Sequence, residues 1–517
     1  MRTLVLFILV SSFSLLLSSN AYAKVIQILH TNDLHSFLTG VKPSLGGYFR
    51  IKTAIDTLKA NAAKKGIETL ILDGGDFGEG SYLFLHNGGI DSFMAFDKLG
   101  VDAAVLGNHD YMFGGPILSE QLIKSGLKTK ILGANIVHTD EMRLKGLLKA
   151  DAKFTRGGKK IYVLGLTTPL PHFMYALRPG VILPEAPVSR AYTKVAKQNG
   201  HDLVIALTHI GLNADKKLVR KDPNIDLVIG GHSHTRLDEV EYEKNSNDEM
   251  IPIVQTGAHG IALGRIMIDL NVGERPKILE YNLVDMNQYI ARDPEVLNTV
   301  LEMERKAQNA LSGGRWRDEI VDSEIELAGY ENGHVNTGDG CWLNHIGKLI
   351  QEESDADVGL FLSSFLGEKI KKGKITYGDI IRNFPHINRY GQPGWEIMKI
   401  KLSGWQILSL MTGVINVDLF KEYVVFGGLE YNTFRFPDVI PWVGGKTFFT
   451  KFKINGKRLK FKKKYEVALP FELKVMLEGL LSKKHVGYLN LNEVRNNYYL
   501  WEMADTYLQK QEKLECL

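Results

Sequence analysis

The chain has 517 residues, 44% of them hydrophobic and 24% charged, with 51 Gly and 16 Pro. This is an ordinary globular composition, and it argues against collagen, long disorder or a coiled coil. Its 63 basic and 59 acidic residues leave a net charge of +4, too near balance for a protein that coats a polyanion. Two cysteines exclude a disulfide scaffold and a Cys-based zinc module.

Residues 1–23, MRTLVLFILVSSFSLLLSSNAYA, place one Arg before an apolar run and close on Ala21-Tyr22-Ala23. That pattern predicts a secretory signal cleaved after Ala23. No later stretch is apolar for long enough to span a bilayer. The expectation is an exported chain, periplasmic or secreted, monomeric and without a membrane anchor. Cys341 and Cys516 could pair in an oxidising compartment or stay free, and the sequence leaves both open.

From residue 24 to about 270, short apolar runs alternate with helical patterns. Val25–Ile28, Thr69–Leu72, Ala103–Leu106, Ile161–Leu166, Leu203–Leu207 and Asp226–Ile229 read as buried strands. Ile51–Lys59, Gly89–Leu99 and Ser189–Gln198 read as amphipathic helices. Strands alternating with helices predict a layered α/β domain. Near 290 the pattern changes. Asp293-Pro294 followed by EVLNTVLEMERKAQNAL predicts a long helix capped by Asp293 and ended by Gly313-Gly314. The expected organisation is a first domain over 24–290, a linker helix over 291–317 and a second domain over 318–517.

In the second domain, Trp342, Leu343, Ile346, Leu349 and Ile350 have helical spacing, and Trp395–Leu402 and Tyr465–Leu469 read as strands. Segment 446–464 carries nine Lys/Arg and no acid, with Phe448, Phe449, Phe452 and Phe461 interleaved. Its Asn455-Gly456 signals a hairpin turn. The plainer reading is a solvated hairpin with one apolar face, and a phosphate-attracting or nucleic-acid surface is the alternative.

Five polar clusters stand out: Asp33-x-His35, Asp73-Gly-Gly-Asp76, Gly107-Asn108-His109-Asp110, Thr208-His209 and Gly231-His232-Ser-His234. Each follows a predicted strand. In an open α/β sheet, loops at the carboxyl ends of strands form the binding crevice, so the clusters are expected to converge. Asp, His and Asn without Cys suit divalent Zn, Mn, Fe, Co or Ni. Seven such side chains exceed the needs of one ion. Two ions sharing a carboxylate fit better, and a water held between them loses a proton near neutral pH and can attack a phosphate ester.

These residues resemble the calcineurin-like metallophosphoesterases, and more narrowly the exported 5′-nucleotidase and UDP-sugar hydrolase family. The matching segments are ILHTNDLHS, GGYFR, LDGGDFGEGS, VLGNHDYMFGG, LTHIG and IGGHSHT, with KITYGDIIRNFPHIN and KLSGW further on. The resemblance implies a four-layer sheet sandwich flanked by helices, followed by a smaller α/β 5′-nucleotidase-like substrate domain. It implies that Asp33, His35 and His234 hold one metal, that Asn108, His209 and His232 hold the other, and that Asp76 bridges them. It makes His109 the catalytic residue beside the substrate phosphate rather than a ligand.

The departures are specific. The family has an Asp three residues after the catalytic His, where this chain has Met112, so His109 is expected to lack its usual partner. Asp110 is adjacent but can point elsewhere. The family's Asn-Gly-Gly-Gly-x-Arg stretch is replaced by Leu362-Ser363-Ser364-Phe365-Leu366-Gly367, and its FPFGN aromatic by His386. Arg382, His386, Asn388 and Phe471 are the remaining candidates for substrate binding. Arg389 is a further phosphate candidate, whereas Trp395 reads as core. The expected function is phosphoester hydrolysis by metal-bound hydroxide, on nucleoside monophosphates or nucleotide sugars. A phosphodiester, a non-nucleotide phosphate or a sulfur ester is the second enzymatic reading. A metal-dependent nucleotide-binding protein without turnover is the rival from another class, and stable nucleic-acid binding is not expected.

Overall fold

The computed structural model describes residues 25–170, 177, 179–271, 275–331, 334–386, 395–416, 424–435, 446–474 and 494–517. The predicted signal, Asn388 and Arg389 lie outside the described residues. The chain divides into two compact units. The first comprises residues up to Glu79 together with Asn87–Glu304, and the second comprises Gly80–His86 and Arg305–Leu517.

The first unit holds two large sheets. One has seven strands in the spatial order Lys277–Asp285, Ala262–Asp269, Val25–Thr31, Thr69–Asp73, Ala103–Val105, Lys130–Leu132 and Leu148–Lys149. The other has six, in the order Glu241–Lys244, Met250–Val254, Leu227–Ile229, Leu203–His209, Lys159–Thr167 and Asp151–Arg156. In both, the central strands run parallel. Antiparallel strands finish both edges of the second sheet and one edge of the first.

Every predicted strand of this unit is present. The central ones are near-continuous apolar runs, buried along their whole length in Val25–Thr31 and Leu203–His209, as strands covered on both faces must be. One face of each sheet packs on the other. Ile26, Ile28, Leu70 and Leu72 of the first sheet share a core with Ile161, Val163, Ile205 and Leu227 of the second. The outer face of the second sheet is covered by the helices Glu185–Gln198 and Leu212–Lys221, through Ala186, Ala196, Leu218 and Val219. On the first sheet, Ala62 of the helix Tyr48–Ala63 packs on Val25 and Met267. The result is the expected four-layer helix–sheet–sheet–helix sandwich.

The long helix spans Pro294–Ser312. Asp293 caps it as its sequence position predicts, its Oδ1 accepting from the Val296 N–H at 2.8 Å. Gly313 and Gly314 end it with φ of 59° and 93°.

The second unit is built on a five-stranded sheet ordered Val424–Gly427, Val358–Leu362, Lys464–Pro470, Glu396–Ser403 and Val494–Tyr499. The amphipathic helix Cys341–Glu353 buries Trp342, Ile346, Leu349 and Ile350. Cys341 and Cys516 form a disulfide with Cα atoms 5.0 Å apart, which resolves the choice the sequence left open. The basic segment is a hairpin: Thr447–Ile454 pairs antiparallel with Leu429–Arg435 and turns at Asn455-Gly456, both with positive φ. Phe449 and Phe452 pack against the core of this unit, so the hairpin has the expected apolar face.

Candidate metal centre

The five clusters meet at the carboxyl ends of the parallel strands of both sheets. Asp33 and His35 follow Val25–Thr31, and Asp76 follows Thr69–Asp73. Asn108 and His109 follow Ala103–Val105. His209 ends Leu203–His209, and His232 and His234 follow Leu227–Ile229. Three donor groups have ligand atoms mutually within 4.8 Å: Asp33–His35–His234, His35–Asp76–His109, and Asp76–His209–His232.

The first groups the three residues expected for one ion, and the third groups His209 and His232, two of those expected for the other, with Asp76. Asp76 Oδ2 is 2.9 Å from His209 Nε2 and 3.8 Å from His35 Nε2. Asp33 Oδ1 is 3.3 Å from His234 Nε2 and 3.8 Å from His35 Nε2.

The surroundings orient several of the donors. His35 Nδ1 donates to the Glu79 carbonyl at 2.6 Å, and His209 Nδ1 donates to the Gly74 carbonyl at 2.8 Å. Both rings therefore present Nε2 to the centre. Asp33 accepts from Asn32 Nδ2 at 2.6 Å and from the His232 N–H at 3.0 Å. Burial first, then the nearby His109 and His234, drives His35 down to about 4, and burial with the nearby His209 and His234 drives His232 down to about 3, so both imidazoles are neutral. Burial also opposes charge on His209, but the Asp76 carboxylate outweighs it and raises that ring to about 10. A divalent cation binding there displaces a proton.

Two further observations fit a metal. Asn108 is 1% exposed, and its Oδ1 has no hydrogen-bond partner, although a buried amide oxygen without one is costly. Asp33, His35, Asp76, His232 and His234 all have φ between 49° and 75°. Left-handed backbone at so many non-glycine residues is strain of the kind held at functional sites.

The loop bearing Asp76 is fixed from several sides. Phe77 is fully buried, stacked on Phe96 at 4.3 Å and edge-on to Phe93 at 5.2 Å, both from the helix Ile90–Asp97. Ser36 Oγ donates to the Gly78 carbonyl at 2.5 Å. Asp110 does point away from His109, as the sequence allowed. Its Oδ2 accepts from the N–H groups of Asp76 and Gly107 at 2.9 and 2.7 Å, and its Oδ1 accepts from Gly78 N–H at 2.7 Å. It ties the Asp76 loop to the Asn108–His109 loop.

His109 lacks the usual acid three residues on, where Met112 stands, and another carboxylate takes its place. His109 Nδ1 is hydrogen-bonded to Oε2 of Glu79, a residue with no exposed surface. Its backbone N–H donates to Asp76 Oδ1 at 2.8 Å. Burial lowers the ring's proton affinity, but the carboxylates of Asp76 and Glu79 together raise it to about 9. Glu79 was not singled out from sequence. Its signal was present, since it is the one acid in the Gly-rich run that follows Asp76.

In the second unit, the described candidate substrate residues Arg382, His386 and Phe471 are already in contact with other side chains. Arg382 pairs with Glu368 at 3.3 Å and with Asp379. Phe471 is 4% exposed within the core of the unit. The His386 ring lies 4.9 Å from that of Trp395, which stacks on Phe365 at 4.5 Å and is 3% exposed, as its reading as core requires. Among the described residues, no helix is long and apolar enough to cross a membrane.

The calcineurin-like phosphoesterase model matches residues 26–236, and the model of the 5′-nucleotidase C-terminal domain matches residues 323–470. The trifunctional nucleotide phosphoesterase protein YfkN of Bacillus subtilis is 25% identical over 76% of this chain, which spans 28% of that relative's length. The 5′-nucleotidase of Vibrio cholerae is 25% identical over 90% of this chain and 87% of its own. The crystal structure of the 5′-nucleotidase precursor from Thermus thermophilus superposes with a TM-score of 0.78 at 20% identity, covering 95% of this chain and 98% of that one.

Proposed function

We propose, starting from a chain that belongs to the calcineurin-like phosphoesterases with a 5′-nucleotidase C-terminal domain, that it is an exported two-metal hydrolase of phosphate esters. The observation that carries this reading is the clustering of Asp33, His35, His209, His232 and His234 with Asp76, which belongs to two of the three donor groups. Asp33, His35 and His234 would hold one ion, and Asn108, His209 and His232 the other, with Asp76 shared. The bound ions would supply Lewis acidity and an activated water at neutral pH.

The protein's own residues do the rest. Buried carbonyls aim the ligand imidazoles before any ion arrives. His109 carries a proton beside the centre, where it can stabilise negative charge on the transferring group or protonate the departing oxygen. Its side chain is 25% exposed, which leaves it reachable by substrate. Export is supported by the Cys341–Cys516 disulfide, a bond that persists in oxidising compartments.

Nucleoside monophosphates and nucleotide sugars are the proposed substrate class. One observation favours a different leaving group. The segment that replaces the family's Asn-Gly-Gly-Gly-x-Arg is the strand end Leu362 and the short turn Ser363–Phe365, with Leu362 and Leu366 buried and no Asn or Arg among its residues, and Arg382 is committed to two carboxylates. The test is turnover by protein from Lys24 onward, with Mn, Zn or Co, read as phosphate from AMP, UMP from UDP-glucose, and nitrophenol from bis-nitrophenyl phosphate and nitrophenyl phosphate. AMP or UDP-glucose turnover lost in His109→Ala supports the nucleotidase reading. Turnover of the nitrophenyl esters alone moves the substrate outside nucleotides. Two bound ions with no product from any ester leave a binding protein.

A further inference from the structure

We infer that Glu79 is the positioning residue for His109, taking from a different loop the part that an acid three residues after His109 would otherwise play. The inference rests on the reading of His109 as the residue facing the reacting group, and it adds what orients that ring.

The geometry has three parts. First, the Glu79 carboxylate accepts from His109 Nδ1. An acceptor on Nδ1 fixes one tautomer and one ring plane and leaves Nε2 as the atom turned to substrate. Second, the position three residues after His109 is Met112, which has neither charge nor a strong acceptor. Asp110, the nearest acid in sequence, is spent on the backbone N–H groups of Asp76, Gly78 and Gly107.

Third, Glu79 is held as a positioning group must be. It follows Phe77, which is clamped between Phe93 and Phe96, and Gly78, whose N–H and carbonyl are both bonded. Its own carbonyl accepts from His35 Nδ1. One residue thus aims a metal-site imidazole with its main chain and the His109 imidazole with its side chain. A side-chain substitution separates the two roles, because the carbonyl on His35 survives it.

The test uses the full mature chain and compares wild type with Glu79→Gln, Glu79→Ala, His109→Ala and the double variant Glu79→Ala/His109→Ala. Glu79→Gln guards against misfolding because it keeps the shape of the side chain. Three readouts are taken: bound divalent metal, kcat on nitrophenyl phosphate and AMP, and the Nδ1-bound proton signal of His109 by NMR with histidine-specific 15N labelling. The expected result is unchanged metal content and a kcat about 100-fold lower in both Glu79 variants, the scale of a lost general acid–base contribution. The Glu79 substitution should have almost no effect in the His109→Ala background, because groups that act as one unit are not additive. The downfield His109 proton should move in Glu79→Gln and disappear in Glu79→Ala.

Multiplying kcat losses, or loss of metal with the side chain, would overturn the inference, as would an unmoved His109 proton signal. If no ester is turned over by wild type, the proposed function fails. The proton signal still decides whether Glu79 holds His109.

Discussion

Gly107→Ala perturbs the candidate centre without replacing any proposed ligand. Gly107 does not sit at positive φ, so alanine brings no backbone penalty there. Its Cβ would lie 2.1 Å from Asp76 Oδ1 and 2.4 Å from Asp76 N. Ordinary contact begins near 3.4 Å, so the carboxylate must retreat by about 1.3 Å, since the backbone behind the Cβ is pinned by Asp110. That retreat breaks the 2.8 Å bond from the His109 N–H and displaces the oxygens proposed to be shared by two ions. Overpacking of this kind costs about 1–3 kcal/mol of stability, and an ångström of misplacement costs about 100-fold in rate. The assay is metal content together with kcat for phosphate release, with denaturant unfolding as control. A folded Gly107→Ala protein with wild-type metal content and rate would refute the placement of Asp76 at the heart of the site.

Other outcomes follow from neighbouring geometry. Phe77→Ala removes a fully buried ring between Phe93 and Phe96. It should cost about 3–5 kcal/mol and lower kcat in the protein that remains folded; full activity would show that the Asp76–Glu79 loop needs no such anchor. The Cys341–Cys516 bond closes a sequence separation of 175 residues, for which chain entropy gives up to about 5 kcal/mol. Cys341→Ser/Cys516→Ser should lower the denaturant midpoint of the second unit, and an unchanged midpoint would count against that stabilisation. Asp215 is buried, and burial raises its carboxyl to about 7. Its folded form therefore prefers the proton, and wild type should lose stability as pH rises from about 4 through 7. Asp215→Asn, which keeps an acceptor for Thr208 Oγ1 at 2.6 Å, should remove that loss. A stability difference that does not change between pH 4.5 and 8 would contradict it.

The sandwich was legible because its central strands are apolar runs, and the candidate ligands because each cluster stands where such a run stops. The strands Met250–Val254, Ala262–Asp269 and Lys277–Asp285 were not read. The last is mostly half-buried or exposed, which leaves little periodic signal, and the first two were passed over despite buried apolar runs. Glu79 was hidden for a different reason. Its place in the Gly-rich run after Asp76 marks it as an acid near the site, but its meaning lies in a contact with a residue 30 positions away, which sequence spacing does not show. Asp110 shows the converse, since adjacency to His109 suggested a partner while its bonds go to three backbone amides. In the second unit, the missing family residues were visible as absences. That Arg382 is already paired and Phe471 already buried depends on packing that pattern alone does not encode.

The central claim is that Asp76 is shared by two divalent ions that together hydrolyse phosphate esters. The direct measurement is metal stoichiometry of the purified chain and of Asp76→Asn, by elemental analysis, alongside phosphate release from the same samples. The account predicts two ions per wild-type chain, loss of both or of all tight binding in Asp76→Asn, and phosphate release that disappears with them. Phosphate release that survives in Asp76→Asn, or in wild type stripped of metal by a chelator, would contradict it.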